Sequence, residues 1–172
     1  MTNYKPTLQE CAMRYGTGMG LLWAFKFMLF PLGLRIPFLQ LLFIVLTIGV
    51  PFLGYIFAKK FRERHCDGSI TFSRAFLFTT FMYMFASLFV AVVHYIYFRY
   101  IDGFVFEAYR SILNQFKETA GAELTTSLNQ FEEAIDLLSG LTPLEMTFQL
   151  ISQNMFYGML MAIPTALIVM RK

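Results

Sequence analysis

Few side chains in this 172-residue chain could do chemistry, and their spacing limits what that chemistry can be. His65-Cys66-Asp67 holds the side-chain types of a nucleophilic triad. Consecutive residues do not converge on one reacting atom, so the tripeptide reads as a turn. Gly16-Thr17-Gly18-Met19-Gly20 is rich in glycine. It lacks the preceding strand, the lysine and the hydroxyl that hold a phosphate. The interval from Gly16 to Gly20 is instead the spacing that lets helices approach closely, and packing within the chain is its expected use. Two histidines and two scattered cysteines cannot supply the three or four converging ligands of a metal centre. No catalytic residue, metal or cofactor is therefore expected.

The remaining candidates are polar groups set in apolar surroundings. Lys26, His94, Glu145 and Gln149 stand near the ends of long apolar runs, and Glu145, Gln149 and Gln153 step by four along one helical face. With His94 belong Tyr95, Tyr97 and Tyr100, the composition of an interfacial aromatic belt. Four polar groups at one depth would suit a proton or solute site. Ordinary hydrogen-bonded helix packing is the plainer reading. The Lys26 stem is also long enough to carry its ammonium toward the nearer interface.

The elements that must position these groups follow from composition. Apolar residues make up 57% and charged ones 15%, against about 25% charged in a soluble domain. Disorder needs the opposite balance, and two cysteines cannot make a disulfide framework. Four stretches are long and apolar enough to cross the roughly 30 Å hydrocarbon core, over about 12–34, 36–60, 70–101 and 143–170. Runs such as LLFIVLTIGV do not alternate, which argues against a β-barrel. The first stretch is followed by Pro31, Gly33, Arg35 and Pro37 and by no small-residue cleavage site, so a retained helix is expected. The reading is one all-α membrane domain over residues 1–172 with four transmembrane helices.

Charge orients it. Nine Lys and Arg fall in the N-terminal segment, the 59–74 connection and the C-terminus, against four in the other two connections. The positive-inside rule then puts both termini and the 59–74 connection in the cytoplasm, where Cys11 and Cys66 stay reduced. The net charge of +3 reflects topology, and no nucleic-acid partner is expected. Asp67-Gly68 marks a turn, with Ser69 or Thr71 as the cap of the third helix. Thr142-Pro143-Leu144-Glu145 has the pattern of a capping box with proline at the first helical position. Pro31 and Pro37 bracket the first turn, while Pro51 and Pro164 lie inside spans, where kinks are tolerated.

The connection from 102 to 141 is too long for a structureless loop. Residues 101–142 carry seven acids and two bases. Val105, Tyr109, Ile112 and Phe116 are spaced for one helix, and Leu124, Leu128, Phe131, Ile135 and Leu138 for a second. Two helices folded back across Thr119–Gly121 would make an extracytoplasmic hairpin between helices 3 and 4. The second stripe is a candidate interaction surface. Its acidic faces repel anionic headgroups, so a protein partner or self-association is expected in preference to the lipid surface.

Two closely spaced N-terminal spans, a basic connection, the run from Asp67 through Gly68-Ser69-Ile70-Thr71-Phe72-Ser73-Arg74-Ala75-Phe76, a polar helical insert and a last span ending in Arg171-Lys172 occur in this order. Over nearly its whole length the chain resembles the bacterial membrane family known as domain of unknown function 4199. The resemblance implies a Gram-negative inner membrane, with the acidic hairpin in the periplasm, and no activity. It also implies, by association alone, a membrane-associated glycosyltransferase of the polyisoprenyl-phosphate type as a partner. The expected function is a non-catalytic accessory, anchor or scaffold subunit in the lipid bilayer. The alternative is a small oligomeric transporter or channel using the polar cluster.

Overall fold

The computed structural model describes residues 6–101, 104–119 and 122–171. Lys5, Asp102, Lys172 and the inner part of the expected 119–121 turn lie outside the described residues. The fold is all-helical, with six helices in the described residues: α1 Leu8–Gly33, α2 Pro37–His65, α3 Phe72–Tyr100, α4 Phe104–Thr119, α5 Ala122–Ser139 and α6 Pro143–Val169. Two of them, α2 and α3, are long and apolar enough to cross a membrane. Among the described residues, Asp67 and Gly68 have positive φ, at the turn between these helices. Pro31 does not border a turn as expected. It stands inside α1, which runs on to Gly33, and Pro37 instead opens α2. The helix passes through Pro31, leaving the Phe27 carbonyl without its intrahelical donor, a loss of one hydrogen bond.

The caps follow side-chain chemistry. Thr71, and not Ser69, caps α3 by accepting from the Arg74 amide. Thr142 and Glu145 form the expected reciprocal box on α6. Thr7 and Glu10 form a second box on α1 that the sequence reading passed over. At the opposite end of α6 the carbonyl of the buried Val169 accepts from the buried Arg62 guanidinium at 3.0 Å. A cation there answers the negative end of the helix dipole. Ile70 and Arg171 exchange both backbone hydrogen bonds beside it. The end of α2, the start of α3 and the end of α6 are thereby tied together at one end of the bundle.

Helix α3 is the centre, packed mainly against α1 and α6, with α2 laid against α1 and α6. Close approach comes from glycine. A Cβ on Gly16 would lie 2.8 Å from the Met82 carbonyl and one on Gly20 2.8 Å from the Phe89 ring, so this interval joins α1 to α3 within one chain. Tyr83 is the bundle's hub. It stacks on Trp23 of α1 at 5.6 Å and fills the space left open by Gly54 of α2 and Gly158 of α6. Phe61 and Phe78 stack at 4.0 Å below it in the same core. Outside, the bundle is equally apolar, with Leu21, Phe25, Phe38, Ile48, Phe52, Phe148 and Ile168 all exposed. Such a continuous exposed apolar surface suits lipid and would drive association in water.

Helices α4 and α5 are different. They pack on each other, joined by Arg110 to Asp136 at 2.8 Å and Lys117 to Glu132. The pairing number falls on α5 as it rises on α4, so the two run antiparallel. Tyr109 of α4 reaches the bundle at Phe30 of α1, with ring centroids 6.5 Å apart.

Candidate functional site

The four polar candidates separate into two pairs. Lys26 of α1 and His94 of α3 are both buried, at 6% and 7% exposure. They share the Phe27 ring, which lies 4.5 Å from the Lys26 ammonium and 4.7 Å from the His94 ring. The ammonium also lies 5.3 Å from the Phe43 ring and 5.7 Å from Trp23. Lys26 thus finds no acid within 4.0 Å among the described residues, and three aromatic faces surround its ammonium. A desolvated cation–π contact is worth on the order of 2 kcal/mol, which makes such a cage tolerable. His94 does not stand in an aromatic belt with its neighbours. It points inward while Tyr95 and Tyr100 are exposed, because one helical face alone can meet α1.

Glu145 and Gln149 stay outside this place. Both are exposed on α6, and the Glu145 carboxylate accepts from the Thr142 amide at 2.8 Å and from its hydroxyl at 2.7 Å. Capping occupies the acid that a polar cluster would have required. The face of α6 directed at His94 carries Met146 and Leu150.

Beside His94 lies a cavity of about 800 Å³, walled by Phe27, Phe43 and His94 inside and by Phe104, Val105 and Leu138 from the α4–α5 pair. Volumes of 300–1,000 Å³ are usual for small-molecule sites. Arg35, in the turn between α1 and α2, stands at its rim with its guanidinium 4.0 Å from the Phe104 ring. Phe27, Phe43, Arg35 and the cavity itself escaped the sequence reading. An apolar residue in an apolar run carries no sign of which face it occupies.

The interaction stripe is divided as well. Leu128 and Ile135 are half-buried, Leu124 and Phe131 are 59% and 65% exposed, and Leu138 turns to the cavity. On α4 the buried apolar positions are Val105 and Leu113, while Tyr109, Ile112 and Phe116 are exposed. Leu113 was missing from the expected stripe. The α4–α5 ion pairs rotate the contact toward the Arg110 and Lys117 side, and Leu113 lies nearer that side than Ile112 does.

The other motifs resolve as structure. Cys66 closes α2, and Asp67 and Gly68 follow with φ of 51° and 82°, so the triad-like tripeptide is a helix end. Both cysteines are free and buried, and burial pushes the Cys66 thiol above its ordinary value. Among the described residues no three His, Cys, Asp or Glu side chains are placed to hold a metal ion.

Residues 14–171 match the family described as "Protein of unknown function (DUF4199)". The chain belongs to this family. The match covers all of α2 to α6 and α1 from Arg14 onward, so the DUF4199 region includes both the bundle and the acidic pair. No curated protein and no solved structure matches the chain.

Proposed function

We propose that this DUF4199 protein is a non-catalytic accessory subunit of the bacterial inner membrane, anchored by four spans and docking a protein partner through the α4–α5 pair. The spans are α1, α2, α3 and α6, whose outward faces are largely apolar, with Gln149, Ser152 and Gln153 as exposed polar positions on α6. Both termini and the 59–74 connection are cytoplasmic on the count of Lys and Arg, and α4–α5 is periplasmic. The four helices and the pair act as one domain.

The observation that carries the docking role is the exposed row of Leu124 and Phe131 on a helix pair that also exposes Phe116 and Leu137 beside its acids. Leu124 and Phe131 are seven residues apart, two turns along one face. Arg110 and Lys117 are already paired to Asp136 and Glu132, while Glu107, Glu118 and Glu133 are exposed. A second copy of so acidic a surface would be repelled. An apolar contact rimmed by basic side chains is complementary to it, and such complementarity sets partner choice. A membrane-associated glycosyltransferase is one partner of the required location. The transporter alternative requires the polar groups to converge, and only Lys26 and His94 do so.

A photo-crosslinking residue at position 131 tests this in native membranes. One protein adduct, lost in the Leu124→Ser/Phe131→Ser variant and weakened by salt, is the expected result. Adducts with lipid alone, or only with a second copy of the chain, would overturn the docking reading.

A further inference from the structure

We infer that the cavity beneath the α4–α5 pair binds a long-chain fatty acid, with its carboxylate at His94 and Lys26. The walls say what kind of molecule fits. They are apolar except at Arg35 on the rim, the His94 ring and Tyr97; the Lys26 ammonium is not itself in the lining but lies against the Phe27 and Phe43 rings that are. Among the described residues the lining contains no acid. A neutral hydrocarbon would leave that charge unanswered, and a soluble anion would leave the apolar walls uncovered. An amphiphile with one acidic group satisfies both.

A second observation points to the same place. His94 is more than nine-tenths buried, lines the cavity, and its Nδ1 has no hydrogen-bond partner. A buried polar atom left unpaired is costly, so its position favours a ligand that supplies an acceptor. With the proton on Nδ1, His94 donates to a carboxylate oxygen while Lys26 balances its charge. The alkyl chain then lies along Phe106, Met146 and Leu150.

The compact carboxylate is preferred to a phospholipid headgroup because the acceptor must reach inside the bundle. His94 is six residues before the end of α3, about 9 Å of helix rise. A cavity of about 800 Å³ is also the size of a site for one small ligand.

The chain carries its own reporter, since Trp23 is its single tryptophan, is buried, and lies 5.7 Å from the Lys26 ammonium. The full-length protein in phosphatidylcholine nanodiscs is titrated with a long-chain fatty acid brominated a few carbons from its carboxylate. Its methyl ester and a phosphatidylcholine with brominated chains serve as comparisons. Saturable quenching by the acid, at least about tenfold weaker for the ester, is expected from loss of a charge-assisted hydrogen bond. The variants Lys26→Met and His94→Phe should each raise the half-quenching concentration by about tenfold or more. Equal quenching of the unaltered protein by acid and ester would overturn the inference, as would equal quenching by brominated phosphatidylcholine. That comparison needs no variant, so a misfolded substitution cannot obscure it.

Discussion

At the residue scale the tightest constraints gather at Tyr83. Its ring meets α1, α2 and α6 at once, and its buried hydroxyl has no hydrogen-bond partner. Desolvating an unpaired hydroxyl is unfavourable, so Tyr83→Phe should stabilise the fold by about 1 kcal/mol. Thermal unfolding in mild detergent measures this, and a lower midpoint for the variant would mean that the hydroxyl is bonded. Gly158→Val should act in the opposite sense. Its Cβ would stand 2.6 Å from that of Tyr83, and overpacking of this kind costs about 1–3 kcal/mol. Cys66 gives a chemical reading of its surroundings. Burial raises its thiol pKa, so less thiolate is present near neutrality, and the thiolate is the nucleophile. In a Cys11→Ala background, maleimide should modify Cys66 far more slowly at pH 7 than a cysteine placed at the exposed Glu63. The difference should narrow as the buffer approaches the raised pKa. Equal rates at neutral pH would show that the thiol is open to solvent.

At the scale of the element, ends and faces matter more than propensity. Thr142 stands at the start of α6 with two backbone donors answered reciprocally through Glu145. Thr142→Ala should cost about 1 kcal/mol, the usual worth of an N-cap side chain. Within the α4–α5 pair the surface ion pairs contribute little, since exposed pairs are worth about 0–1 kcal/mol. Its packing rests on the apolar side chains that the pair buries. Leu113→Ala should therefore loosen it by about 2–5 kcal/mol, whereas Ile112→Ala, at 41% exposure, should cost much less. Hydrogen exchange of residues 104–139 would report both. Greater loss of protection from the Ile112 variant would restore the stripe read from spacing alone, because that spacing makes Ile112 a core position.

At the scale of the whole molecule, the charge count and the bundle agree on which ends belong together. The Ile70–Arg171 pairing and the Arg62 bond to Val169 place the basic 59–74 connection beside the C-terminus. With both native cysteines replaced by alanine, a single cysteine at position 63 should label only after the membrane is permeabilised. One at position 130 should label from outside in intact cells stripped of their outer membrane. The reverse pattern would invert the proposed orientation and put the acidic pair in the cytoplasm.

Hydrophobicity, turn chemistry and charge are properties of local sequence, and these were readable without coordinates. The all-helical class, the box at Thr142 and Glu145, the turn at Asp67-Gly68 and membership of the DUF4199 family all belong there. What could not be read was rotation about each helix axis. In a chain apolar both inside and out, the period of hydrophobicity does not mark the buried face, since lipid and core attract the same side chains. Only packing fixed that rotation. It turned Lys26 and His94 inward to a shared ring, left Glu145 and Gln149 outside, and exposed Phe131 while half-burying Ile135. The cavity behind His94 arises from six helices meeting, and no single stretch of sequence contains it.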